Sequence, residues 1–160
     1  MITWITKNVA IGEYTDALNE ELLKKEKIDC ILSLRTGLGL ESGNDDFKFY
    51  LYDRMEIRYY NIPVGINAHI DKESIKVELI TAAYMLEQLI GKYKRILVHC
   101  TAGIDRAPFV VAYWIAGYSG YGKDINFIYS KEFNFNFWIS KAYELIKEKR
   151  SQVIEHMEWI

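Results

Sequence analysis

A cysteine at position 100 is followed six residues later by an arginine, within His99-Cys100-Thr101-Ala102-Gly103-Ile104-Asp105-Arg106-Ala107-Pro108. Apolar Ile96-Leu97-Val98 precedes this segment and an apolar run from Phe109 to Ala116 follows it, so it reads as a loop joining a strand to a helix. A loop that enters a helix N-terminus turns successive backbone N–H groups toward one point, where they and the helix dipole stabilise an anion. Thr101, Ala102, Gly103, Ile104, Asp105 and Arg106 are the residues such a cradle would use to bind phosphate, and Gly103 permits the tight backbone path. Arg106 adds a permanent charge in a planar fork, suited to two oxygens of a phosphoryl group and to the charge that develops there in the transition state. The same field is expected to lower the Cys100 thiol from its free pKa of about 8.5 toward the thiolate, the nucleophilic form. In-line attack of that sulfur on phosphorus needs no metal and no cofactor. His99, one step back along the strand, is expected to point away from the anion and to support neighbouring backbone.

Phosphate monoesters with poor leaving groups also need an acid, which contributes typically about 10²- to 10⁴-fold. Asp71 is the first choice, being the sole carboxylate between Pro63 and the helix expected to follow, although it also stands where a helix N-cap belongs. Asp105 is the rival, and its alternative role is to stabilise the helix dipole from the first turn. The aromatic stretch Phe127, Tyr129, Phe133, Phe135, Phe137 and Trp138 could stack on a ring, but core packing is the commoner use of such residues. Arg54 and Arg58 are candidates for the pocket rim, with a solvated surface as the default. Cys30, the other cysteine, lies in the apolar run Ile28-Asp29-Cys30-Ile31-Leu32 and reads as an inert buried thiol, so a disulfide is not expected.

The elements that must position the loop follow from the remaining pattern. Half of the 160 residues are hydrophobic, enough for one core, and with only two prolines and no repeat or low-complexity tract, residues 1–160 read as one domain. Twenty basic residues against 22 acidic ones leave a formal charge of -2, so no basic field exists for nonspecific nucleic-acid binding. No secretory signal or membrane-spanning run is evident, and a soluble, cytoplasmic protein is expected. Short strands are expected at Ile2–Ile5 and Val9–Ile11, then a helix capped by Asp16 that runs to about Lys27 with Leu18, Leu22 and Leu23 on its apolar side. Ile28–Leu34 and Ile57–Ile62 read as strands, separated by a loop containing Gly37, Gly39 and Gly43 and a helix from Asp45 to about Met55. A long helix capped by Asp71 reaches about Leu89, its apolar set Ile75, Leu79, Ala82, Ala83, Leu86 and Leu89 at helical spacing. Ile96–Val98 is the next strand, Ala107–Gly117 a buried helix, and Ile125 to about His156 two more. Such alternation predicts an α/β fold, a three-layer sandwich with a central, mainly parallel sheet flanked by helices, and ligands gather at the carboxyl ends of its strands.

His99-Cys100-x5-Arg106 resembles the signature of the protein tyrosine phosphatases, and the short chain looks like the dual-specificity class. Cys100-Thr101-Ala102-Gly103 with Arg106-Ala107-Pro108 is similar to the glucan phosphatases related to laforin, a similarity extended loosely by Ser130-Lys131-Glu132, Phe135 and Ala142. No carbohydrate-binding module is expected. The resemblance implies a metal-independent phosphatase that acts on phosphomonoesters through a phosphocysteine, with Cys100 and Arg106 catalytic and His99 supporting, while Asp71 joins the catalytic set as the acid chosen from the residues themselves. Its substrate would be a phosphorylated protein, phosphotyrosine first and phosphoserine or phosphothreonine next, or a small phosphoester. Phosphoinositide, phosphoglucan and an RNA 5'-triphosphate end are the alternatives, and a catalytically weak or inactive phosphate-binding module is the competing reading. Two departures stand out. Ala107 replaces the Ser or Thr that most members place after the arginine, and beyond Ile62-Pro63-Val64 the family's aspartate position falls near Ile66 or Asn67. The Asp105-Arg106 pair resembles the loops of myotubularin-type lipid phosphatases.

Overall fold

A computed structural model of the chain describes residues 1–36, 47–65, 72–119 and 135–160. Strands β1 (Thr3–Trp4), β2 (Val9–Gly12), β3 (Cys30–Ser33), β4 (Arg58–Asn61) and β5 (Ile96–His99) form one sheet in the order β1-β2-β5-β3-β4. β1 runs antiparallel to β2, and every other pairing is parallel. The helices are α1 (Glu20–Lys25), α2 (Phe47–Arg54), α3 (Lys72–Ile90), α4 (Arg106–Trp114) and α5 (Phe135–Lys149).

Successive strand residues turn to opposite faces, and both faces here are covered. Val9, Ile11, Cys30, Leu32, Ile96, Val98 and Cys100 pack against α3, α4 and α5 through Leu79, Leu86, Phe109, Val110, Ile139 and Ile146. Ala10, Ile31 and Leu97 face the other way, toward Leu23 of α1 and Leu51 and Tyr52 of α2. The result is the expected α/β sandwich, and two-sided burial is why β3 and β5 read as unbroken apolar runs. Burying a Leu, Ile or Val contributes about 1.5–3 kcal/mol, whereas a ladder hydrogen bond contributes a net of about 0.5–1.5. Packing therefore dominates in fixing β5, whose Ile96, Leu97 and Val98 are fully buried.

The sheet register then gathers the loops. Gly12 on β2 and Ser33 on β3 both lie opposite His99, so the three strands end level and the turns that follow them start side by side. At the same edge, the Leu34 N–H donates to the His99 carbonyl at 2.9 Å and the Tyr14 N–H to the Thr101 carbonyl at 3.0 Å.

Three expected helices differ in detail. Asp16 does not cap a helix to Lys27: a 3-10 turn covers Asp16–Leu18, and α1 is capped by Asn19, whose side chain accepts from the Leu22 N–H at 3.1 Å. The Asp16 carboxylate is taken up instead by the turn after β2, where it accepts from the Glu13 N–H at 2.8 Å. The helix expected over Ala107–Gly117 is α4 followed by a π turn at Ile115–Ser119. Trp114 Nε1 ties α4 to α3 by donating to Glu87 Oε2 at 2.7 Å. Of the two helices expected between Ile125 and His156, α5 is one, and residues 120–134 lie outside the described residues. Among the described residues no helix is long and apolar enough to cross a membrane.

Candidate active site

Cys100 stands at the carboxyl end of β5, 2% exposed, on the sheet face that carries α3, α4 and α5. The loop after it is held from outside by its carbonyls. The Cys100 carbonyl contacts His99 Nδ1 at 3.0 Å, and that of Thr101 accepts from Tyr14 N–H at 3.0 Å. The Gly103 carbonyl accepts from Arg150 Nε at 2.9 Å and the Ile104 carbonyl from Ile154 N–H at 2.9 Å. No peptide bond in the described chain is cis. In a trans peptide the N–H points opposite to the C=O, so tying these four carbonyls outward turns the N–H groups of Thr101, Ala102, Ile104 and Asp105 inward. An anion above Cys100 would meet those donors together with the first turn of α4.

Gly103 is indispensable to this path. Its φ is +70°, and a Cβ there would lie 2.6 Å from the Gly12 carbonyl oxygen and 2.7 Å from Arg150 Nη2. Arg106, the first residue of α4, reaches back across the loop. Its Nη1 donates to the Leu34 carbonyl at 3.3 Å and the Val64 carbonyl at 3.1 Å, and its Nη2 to Thr101 Oγ1 at 3.2 Å. The ends of β3 and β4 thereby set the plane of the guanidinium.

His99 points to the opposite face and is 2% exposed. Burial, aided by the charges of Arg35, Lys48 and Arg106, pulls its pKa down to about 4 against a backbone hydrogen bond that raises it. The ring is neutral at physiological pH, and because a carbonyl only accepts, Nδ1 carries the proton toward the Cys100 oxygen. Beside it, Tyr14 lies with ring centroids 6.2 Å apart, and the Arg35 guanidinium covers the Tyr14 ring at 3.4 Å.

Asp105 occupies the N-cap position of α4 but makes no side-chain capping bond. Its Oδ1 instead contacts His156 Nε2 at 2.6 Å, while His156 Nδ1 contacts Glu158 Oε1 at 2.6 Å. Trp159 stacks on the His156 ring at 3.9 Å and meets Phe109 edge-on at 5.5 Å. Burial alone would depress the His156 pKa, but the hydrogen bonds and charges of Glu158 and Asp105 together raise it. His156 in turn lowers Glu158 from its ordinary 4.5. A raised histidine adds stability that is fully present below the unfolded pKa of about 6.5 and is lost as pH rises through the higher folded value. The depressed Glu158 adds stability present above 4.5 and lost on acidification. His156→Gln is therefore expected to cost about 0.5–1 kcal/mol between roughly pH 5 and 6, the worth of a partly exposed pair, and less toward pH 8. Thermal unfolding of both proteins across that range measures it, and a pH-independent difference would contradict it.

The other sequence candidates are distributed as follows. Asp71 lies outside the described residues, as do Phe127, Tyr129 and Phe133. Phe135 packs on Tyr113 at 4.8 Å, Phe137 is exposed, and Trp138 is half-buried. Arg54 pairs with Glu20 at 2.6 Å on the surface. Arg58 pairs in register with Cys30 at the entering end of the strands, the end opposite Cys100, so it cannot rim the pocket. Cys30 is fully buried, and burial followed by the charge of Asp29 pushes its thiol up to about 12. Tyr14, Arg150, Ile154 and His156 bond to the loop, and Arg35 covers the Tyr14 ring, without any motif that announces them. Among the described residues no three His, Cys, Asp or Glu side chains come together as a metal cage.

Residues 9–160 match the family model for the dual specificity phosphatase, catalytic domain. The chain belongs to that family, a class of cysteine-dependent protein tyrosine and dual-specificity phosphatases. Over 142 residues it is 28% identical to the tyrosine-protein phosphatase vhp-1 of Caenorhabditis elegans, an overlap of 85% of this chain and 20% of that protein. It thus spans about a fifth of the length of this curated relative. The phosphatase domain of Yvh1 from Chaetomium thermophilum superposes with a TM-score of 0.70 at 16% identity, covering 99% of this chain and 92% of that one. The human tyrosine phosphatase-like serine/threonine/tyrosine-interacting protein gives 0.65 at 17% identity, covering 99% and 89%.

Proposed function

We propose that this chain is a metal-independent phosphomonoesterase acting through a phosphocysteine on Cys100, with protein phosphotyrosine as its first substrate and phosphoserine or phosphothreonine next. The observation that carries the reading is the loop from Cys100 to Arg106, whose carbonyls are tied outward while Arg106 is braced by the Leu34 and Val64 carbonyls. In the first step the Cys100 thiolate attacks phosphorus in line. The S–P bond forms as the bond to the leaving oxygen breaks, and a carboxylic acid protonates that oxygen. Loop amides and Arg106 hold the three equatorial oxygens. Water then attacks the phosphocysteine, the same carboxylate takes its proton, and inorganic phosphate leaves the regenerated thiolate.

Asp71 is the favoured acid. Val64, whose carbonyl braces Arg106, directly precedes the stretch that carries Asp71 in sequence, whereas Asp105 has Oδ1 engaged by His156. Asp71→Asn is expected to lower kcat for an aryl phosphate about 10²-fold and to remove the alkaline limb of its pH profile, where an essential acid loses its proton. Asp105→Asn is expected to leave that limb in place. If the limb survives in Asp71→Asn and disappears in Asp105→Asn, the assignment is reversed.

Ala107 favours a second reading, a phosphate-binding module with little turnover. It is fully buried, and puts a methyl where the family resemblance has a hydroxyl. Hydrolysis of p-nitrophenyl phosphate in EDTA, with acid quenching to look for a phosphoryl adduct on the Cys100 peptide, separates the two. Turnover with an adduct is expected. Tungstate binding without turnover would establish the module instead.

A further inference from the structure

Arg150, just beyond α5, is 2% exposed, and among the described residues it contacts only neutral oxygens. Its Nε donates to the Gly103 carbonyl at 2.9 Å, and its Nη1 to the Met1 carbonyl at 2.7 Å and Thr3 Oγ1 at 3.0 Å. Its Nη2 has no hydrogen-bond partner and lies against Gly103 on the rear of the loop. A buried guanidinium without a contacting carboxylate is costly, and a neutral donor could satisfy the Gly103 carbonyl equally well. Something negative must compensate the charge. The groups whose charge favours the cation are Glu13, Asp16 and Cys100, acting against the burial that disfavours it. Cys100 is the one among them at the reacting centre, and a bound phosphoryl group would add to it.

Resting on the phosphatase reading above, we propose that Arg150 is a positioning residue of the phosphate loop. From behind, it holds the Gly103 carbonyl away from the anion and provides a second, buried positive charge beneath the thiolate. The peptide that joins Gly103 to Ile104 is rigid and trans, so drawing its oxygen toward Arg150 aims the Ile104 N–H at the substrate oxygens. Arg106 and Arg150 then act from opposite sides of one turn, the first touching the substrate and the second touching the loop and the N-terminal strand but no substrate.

The test compares wild type with Arg150→Gln and Arg150→Lys, using the pH dependence of Cys100 alkylation by iodoacetamide and the kinetics of p-nitrophenyl phosphate hydrolysis. Arg150→Gln, which keeps a donor but no charge, is expected to raise the alkylation midpoint by about one pH unit and to lower kcat about tenfold with a smaller change in KM. Arg150→Lys is expected to keep the midpoint near that of wild type while losing part of kcat, because the charge stays and the fork does not. A folded Arg150→Gln with an unmoved midpoint overturns the proposal. Should that variant fail to fold, Arg150→Lys decides by the same two readouts: a kept midpoint with a lowered kcat supports the proposal, and kcat at the wild-type level overturns it. Absence of turnover in wild type would sink the phosphatase reading alone, since alkylation still reports on Arg150.

Discussion

Cys100→Ser is expected to eliminate hydrolysis of aryl phosphates, a fall of about 10⁶-fold in kcat, as when a covalent nucleophile is removed from an otherwise intact site. The loop amides and Arg106 are stabilising for an anion that is already there, but they do not make serine a nucleophile, because an alcohol gives up its proton far less readily than a thiol. The change is nearly isosteric at a position 2% exposed, and the four carbonyl contacts that shape the loop come from elsewhere. Thermal unfolding is therefore expected to move by no more than about 1 kcal/mol. Tungstate affinity should persist for the same reason. Turnover by Cys100→Ser at the wild-type rate would remove the covalent mechanism altogether.

Arg106→Ala is expected to lower kcat about 10³- to 10⁵-fold, the usual worth of an arginine that meets charge developing on a transferring phosphoryl group. Arg106→Lys separates charge from shape. A guanidinium can brace Nη1 against the Leu34 and Val64 carbonyls and still present a flat edge to two oxygens. A lysine ammonium on its flexible stem cannot do both, so Arg106→Lys should recover less than about tenfold over Arg106→Ala. Near-wild-type kcat in Arg106→Lys would mean that charge alone matters and that the bracing is incidental.

The alternation of apolar strands with helical segments makes the sandwich legible in the sequence, because two-sided burial of β3 and β5 imposes runs of Ile, Leu, Val and Cys that little else produces. The spacing from Cys100 to Arg106 was equally plain, since the length of the loop and the start of α4 tie those positions together locally. What could not be read is what arrives from far along the chain. Arg150 stands 47 positions from the carbonyl it holds, and His156 51 positions from Asp105. Neither periodicity nor motif distinguishes such a buried arginine from a solvated one at a helix end. Asp16 shows the opposite failure, a residue of good capping type claimed by the N–H of Glu13 on its other side in sequence. Asp105 was legible as the residue at the head of α4 but not as the partner of His156 and, through it, of Glu158 and Trp159.

The alignment of β3 with β5 sets Cys30 opposite Ile96, four residues short of Cys100. At about 3.3 Å per residue that is a gap of about 13 Å, nearly twice the roughly 7 Å within which two cysteines can be bridged. Cys30 is also the sole other sulfhydryl in the chain, and its thiol is held in the protonated form. Under peroxide, a sulfenic acid formed at Cys100 would find no resolving thiol within the chain. It could be recovered by a small external thiol or shielded by condensation with a backbone nitrogen, and otherwise would pass on to irreversible oxidation.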